Sequence, residues 1–231
     1  DPRQKFASLD VPFVSIYSEG ELWEGASTRQ PDTFTGRGGW VTYEVAGGSH
    51  GAAETPGLND KVTFGASPQD MAKTGVQRPP MPAGMMASLM PAGAKPNRMP
   101  WAPLARGAYH NLQLWAEKGT RPPQAQPIAL ETNQAIRRDP AGNAIGGLRL
   151  TYLDVPTASH TGYLTAGGGM GGVMGAFKPF SAEELARLYP TPADYLGKFD
   201  AATDRLVAGR WLSQADGEAM KKAAKEAPMT N

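Results

Sequence analysis

Two stretches decide how this chain is read: Val11-Pro-Phe-Val-Ser-Ile-Tyr-Ser-Glu-Gly-Glu21 and Trp40-Val-Thr-Tyr-Glu-Val-Ala-Gly-Gly-Ser-His50. Each is a β-branched and aromatic run bounded by small or turn-forming residues, which is the pattern of a buried strand. The first ends in a carboxylate and the second in an imidazole. In an open parallel sheet the loops at the carboxyl ends of the strands share one crevice, so residues distant in sequence meet there. An acid followed by a histidine, each just past a strand, is the closing half of a Ser-His-acid triad. In such a triad the histidine takes the nucleophile's proton, and the acid orients the histidine and stabilises its cation.

The first stretch offers two acids. Pro12, the strand, Ser18 and a carboxylate three positions later fit the usual spacing for Glu21, with Glu19 as the alternative acid. His50 follows its strand through Ala46-Gly47-Gly48-Ser49, small residues that permit a sharp turn and leave an imidazole facing the crevice. The chain has three histidines. His110 falls within a helical pattern and reads as a packing or surface residue. His160, in Thr157-Ala-Ser-His-Thr161, reads as a loop residue able to line a substrate pocket.

Gly47-Gly-Ser-His-Gly51 also matches the G-x-S-x-G nucleophile elbow. An elbow needs a strand, a sharp turn and then a helix, and Ala52-Ala-Glu-Thr-Pro-Gly57 is a poor helix start. Ser49 as nucleophile would take its acid and base from downstream, from Asp154 and His160. Gly167-Gly-Gly-Met-Gly-Gly172 matches G-x-G-x-x-G but lacks the acidic residue and following helix of a dinucleotide site, so it reads as a loop. No spacing of ligand residues points to a metal, and no cofactor is expected.

Outward from these stretches the pattern changes. Gly51 to Pro103 reads as irregular, and its Met residues, Met85 and Met86 among them, could form an adaptable apolar wall for a substrate. Pro103 to Lys118 reads as a helix, with Leu104, Ala108, Leu112 and Trp115 at helical spacing and Gly119 as its stop. Ala135–Arg138 and Leu148–Tyr152 suggest a hairpin about Asp139-Pro-Ala-Gly-Asn143. Ser181 with Glu184 forms a capping-box pattern, and Thr191-Pro192 with Asp194 opens a helix running to about Leu212, because Pro fits the first helical turn. Ser213 with Asp216 opens a last helix.

The organisation expected is therefore α/β in three parts. Residues 1–130 hold core strands, a helix and the long Pro/Met-rich loop. Residues 131–180 hold a hairpin and Gly-rich loop near the crevice. Residues 181–231 hold helices packing on the core.

Composition bounds the function classes. The chain has 231 residues, with 23 Lys and Arg against 22 Asp and Glu. That balance argues against nucleic acid and anionic membrane as partners. No apolar run approaches the ~20 residues of a membrane span. The absence of cysteine excludes disulfide and thiolate chemistry. Asp1-Pro2 without an initiator Met leads one to expect a processing site or fragment boundary there.

Several blocks recur in an order that resembles a known family. They are Val11 to Glu21, Arg29-Gln-Pro-Asp32, Tyr43 to His50, Leu112-x-x-Trp115 with Gly119-Thr-Arg-Pro-Pro123, Asp139 to Leu148, Asp154-Val-Pro-Thr157 and Tyr189 to Tyr195. Together they resemble the C-terminal half of the "alpha/beta hydrolase domain-containing" proteins, mostly bacterial serine hydrolases of the α/β-hydrolase superfamily. The resemblance implies Glu21 as triad acid and His50 as general base, acting on carboxylic esters through an acyl-enzyme. It also implies an N-terminal half, as a companion chain or a further segment, that carries the nucleophilic Ser and the oxyanion-hole donors. Where His160 stands, family members often carry Tyr. The competing expectation is a non-catalytic α/β-hydrolase-like subunit for binding or assembly.

Overall fold

Parallel pairing of the two decisive stretches organises the molecule. The computed structural model describes residues 9–24, 29–36, 38–50, 95–164, 172, 175–226 and 229. Strand β1 (Pro12–Ser18) runs parallel to β3 (Gly38–Val45), in register from Pro12 opposite Gly39 to Ser18 opposite Val45. A third strand, β2 (Thr33–Thr35), which the sequence did not signal, lies antiparallel on the other side of β3. The order is β1-β3-β2, so among the described residues β1 and β2 are the edges and β3 the centre. Parallel strands require cover on both faces. Val41, Tyr43 and Val45 of β3 are fully buried, and Phe13 of β1 stacks on Trp40 at 4.5 Å.

Helix α1 (Ala102–Lys118) packs against β1 and buries Leu104, Ala108 and Trp115. It begins one residue before the expected Pro103 and stops at Gly119, whose left-handed backbone (φ 68) returns its N–H to the helix end. The chain then crosses the sheet, where Tyr43 donates its hydroxyl to the Pro123 carbonyl at 2.6 Å.

The expected hairpin forms only at its tip. Arg138 bridges Ala144 across the Asp139–Asn143 turn, but Leu148 leaves to pair in parallel with Val45. Its N–H donates to the Glu44 carbonyl at 2.7 Å, and its carbonyl accepts from Ala46 N at 3.0 Å. Gly147, at φ 70, permits this turn; a Cβ there would sit 2.6 Å from Ile128 and 2.7 Å from the Glu44 carbonyl. Thr151–Asp154 is then a helical turn, α2, rather than a strand.

Strands β4 (Ala158–Thr161) and β5 (Ala176–Pro179) form a separate antiparallel ribbon. His160 is therefore a strand residue, not a loop residue. Helix α3 (Ala182–Leu188) starts at the Ser181–Glu184 capping box and α4 (Pro192–Ala208) at the Thr191–Asp194 box. Helix α4 ends four residues before the expected Leu212. Arg210 takes φ 62 there, and Trp211 turns back to meet Tyr43 edge-on at 5.3 Å. Helix α5 (Gln214–Glu226) follows the Ser213 cap and packs on α4. One apolar core joins β3, α1, Ile128, Leu150, α4 and α5, and so includes residues from all three expected parts.

Candidate functional site

Because β1 and β3 run parallel and end in register, their outgoing turns emerge side by side. After β1 the chain enters a 3-10 turn over Glu19–Glu24. After β3 it turns through Gly47, at φ 70, and Gly48 to reach His50. His50 Nδ1 lies 3.3 Å from Glu21 Oε1. The other Glu21 oxygen accepts from Ser18 N at 2.6 Å, which folds the carboxylate back on its own strand end. The imidazole is 61% exposed and the Glu21 side chain 35%. A proton on Nδ1 directed at Glu21 leaves the Nε2 lone pair for a partner in the crevice, the arrangement of a general base held by an acid.

Glu19 occupies the opposite environment. It is fully buried, and both its oxygens are engaged. Oε2 accepts from Gly47 N at 2.7 Å, while Oε1 accepts from Gly162 N at 2.9 Å and from Arg138 Nη2 at 2.7 Å. A buried carboxylate is tolerable only with such a set of donors and a paired cation. The same side chain thus ties the turn before His50 to the end of β4. The backbones also touch directly, with Gly20 N donating to the Gly48 carbonyl at 3.0 Å. A Cβ on Gly20 would stand 2.8 Å from the Gly162 carbonyl and 2.9 Å from His50 N, so only glycine fits.

Asn97 closes the arrangement from below. Its Nδ2 donates to the Gly47 carbonyl at 2.6 Å and to the Thr161 carbonyl at 3.2 Å. Its Oδ1 accepts from Met99 N and faces His160 Nδ1, each at 3.0 Å. Because Oδ1 is the acceptor, His160 carries its proton on Nδ1. Asn143 Oδ1 holds the His160 backbone N–H at 2.8 Å. His160 is 6% exposed, and burial pulls its pKa down to about 4, so it is neutral at pH 7. It lies under the Gly47 turn, packed against Phe177.

The remaining candidates are dispersed. Ser49 is buried, and its carbonyl accepts from Trp101 Nε1 at 3.2 Å. The acid and base that Ser49 would require hold other partners, Asp154 pairing with Arg149 at 2.7 Å and His160 with Asn97 at 3.0 Å. His110 is exposed on α1. Met85 and Met86 lie outside the described residues, as does most of the Gly167–Gly172 run. Among the described residues no three His, Asp or Glu side chains converge as for a metal, and no helix is long and apolar enough to cross a membrane.

Sequence reasoning missed Asn97, Arg138 and Asn143 as supports. Asn143 stood in a recognised turn, whereas Asn97 sat in a stretch with no pattern at all. The Arg29–Asp32 block also proves to be a strap. Arg29 grips Glu44 through two bonds of 2.6 Å, and Asp32 accepts from Thr42 N at 3.0 Å.

A family model described as "Alpha/beta hydrolase domain" matches residues 1–222. The chain belongs to the Alpha/beta hydrolase domain family. No curated protein and no solved structure matches it. Membership agrees with the α/β class read from the sequence and with the mixed helices and small sheets described above. In this Alpha/beta hydrolase domain Glu21 and His50 stand just past the carboxyl ends of two parallel strands, where the loops of an open α/β sheet share one crevice.

Proposed function

We propose that this chain supplies the acid and base of a serine hydrolase that cleaves carboxylic esters, with Glu21 and His50 in those roles. The single observation that carries the reading is the 3.3 Å contact of His50 Nδ1 with Glu21 Oε1 at the ends of parallel strands, with the rest of the imidazole exposed. In this scheme the nucleophilic Ser comes from an N-terminal half, and β1, the edge strand that pairs in parallel, is where further parallel strands would add. His50 Nε2 removes the Ser hydroxyl proton as Oγ attacks the ester carbonyl. It returns that proton to the departing alkoxide when the C–O bond breaks, leaving an acyl-enzyme. Water then repeats the sequence, losing its proton to His50 and releasing the acid and free Ser.

A fluorophosphonate probe on the intact protein tests the reading. Labelling of a Ser outside residues 1–231 supports it. Labelling of Ser49 transfers the nucleophile to this chain, and a lack of labelling favours the non-catalytic subunit. His50→Ala should lower kcat/KM by roughly 10⁴-fold or more against a chromogenic ester. Near-full activity in that variant would sink the proposal.

A further inference from the structure

The β4–β5 ribbon has two faces, because side chains alternate along a strand. One carries His160 opposite Phe177, directed at the Gly47 turn. The other carries Ser159 opposite Lys178, directed into a cavity of about 580 Å³ between the Asp139–Gly142 turn and α3. That volume lies within the ~300–1,000 Å³ range of small-molecule sites.

The charges lining this cavity are unequally committed. Asp139 accepts from Ala141 N and Asn143 N through one oxygen and pairs with Arg149 through the other. Asp154 pairs with Arg149 as well. Glu184 is held by Ser181 in the capping box, and those hydrogen bonds keep its carboxyl below the ordinary value, helped by the nearby charges of Lys178 and Arg187. Each carboxylate of the wall thus has at least one oxygen held by a wall partner. Lys178, Arg187 and the Ser159 hydroxyl line the same cavity and have no hydrogen-bond or ion-pair partner among the described residues. Ser159 and Lys178 sit directly across the ribbon, so their Cβ atoms are about 5 Å apart. The rest of the wall is apolar, from buried Leu153 through Pro156 and Phe180 to Leu188, one of the few exposed large hydrophobic residues.

We infer that this cavity binds an organic carboxylate with a compact apolar body, its anionic end held by Lys178, Arg187 and Ser159 and its body against Leu153, Phe180 and Leu188. Cations beside an apolar surface recognise such an anion by charge-assisted hydrogen bonds, and among the described residues Glu184 acts on these two only through its field, without a hydrogen bond or ion pair to either. The inference does not rest on the acid–histidine reading, since the two sites lie on opposite faces of the ribbon.

Calorimetric titration of the intact protein with octanoate at neutral pH tests it, with octan-1-ol and inorganic phosphate as comparison ligands. Saturable octanoate binding is expected, weakened about tenfold or more by the Lys178→Glu/Arg187→Glu pair and several-fold by Ser159→Ala, the scale of lost charged hydrogen bonds. Lys178→Gln, a milder change on an exposed residue, should weaken it in the same direction. His50→Ala should leave the affinity unchanged, which separates this site from any ester pocket. Absence of saturable binding, or equal affinity in the charge-reversed protein, overturns the inference. Octan-1-ol binding as tightly overturns recognition of the charge, and phosphate binding as tightly overturns the apolar half of the site.

Discussion

Two carboxylates two positions apart in one turn, Glu19 and Glu21, stand in opposite surroundings. Glu19 has no exposed surface and spends both oxygens on Gly47, Gly162 and Arg138. Glu21 is about one-third exposed and spends one oxygen on its own strand end and one on His50. The difference teaches how a site is divided between holding and acting. Desolvation and fixed donors make Glu19 a clamp that locks two chain segments against each other. In the proposed reaction the more exposed Glu21 follows the charge on His50 as a proton comes and goes.

The comparison can be broken in order of effect. Glu21→Gln should lower kcat by roughly 10³- to 10⁴-fold, since an amide neither fixes the imidazole tautomer nor stabilises the cation. Its stability should change by only about 0.5 kcal/mol, as for other partly exposed sites. Steady-state kinetics beside urea denaturation checks both halves. Loss of stability with retained kcat would reverse the roles assigned to the two acids.

Glu19→Gln should do the opposite. The amide presents a donor where Gly47 N, Gly162 N and Arg138 all demand acceptors, and it leaves the part-buried Arg138 guanidinium without its carboxylate. Breaking a buried pair in this way costs roughly 3–5 kcal/mol, read as a lower urea midpoint. If Glu19→Gln is as stable as the parent, the clamp is not what holds the His50 turn.

The smallest effect is titration of His160. Its pKa is depressed from 6.5 to about 4 by burial, so the folded form resists protonation that the unfolded form accepts. Stability from this group is complete above pH 6.5 and declines as the pH falls from there towards 4, by about 3 kcal/mol in all at the outside. Unfolding midpoints between pH 7 and pH 4 should show this slope, and His160→Gln should flatten it. An unchanged slope in that variant would mean that the acid sensitivity originates elsewhere.

Much of this was legible in local pattern. Strands β1 and β3, helix α1, the Ser181–Glu184 capping box and the Pro192 helix start follow from periodicity and from residue types whose preferences act within a few positions. Turn spacing after the strand favoured Glu21 but left Glu19 open, because both carboxylates stand in the same short turn. The support beneath the site was not. Asn97 has no local signature, and Arg138 reaches Glu19 across 119 residues of chain. His160 looked like a loop residue because Ala158–Thr161 is too short to show alternation, and only pairing with Ala176–Pro179 makes it a strand.

By itself, then, the sequence determined the α/β class and the placing of an acid and a histidine each just beyond a strand, since strand and turn preferences are short-range. Only the tertiary structure decided that those strands are parallel neighbours, that Glu21 and not Glu19 meets His50, and that His160 is buried beneath their turns. Those outcomes depend on which distant backbone groups each carboxylate finds once water is removed, and no short window of sequence contains both partners.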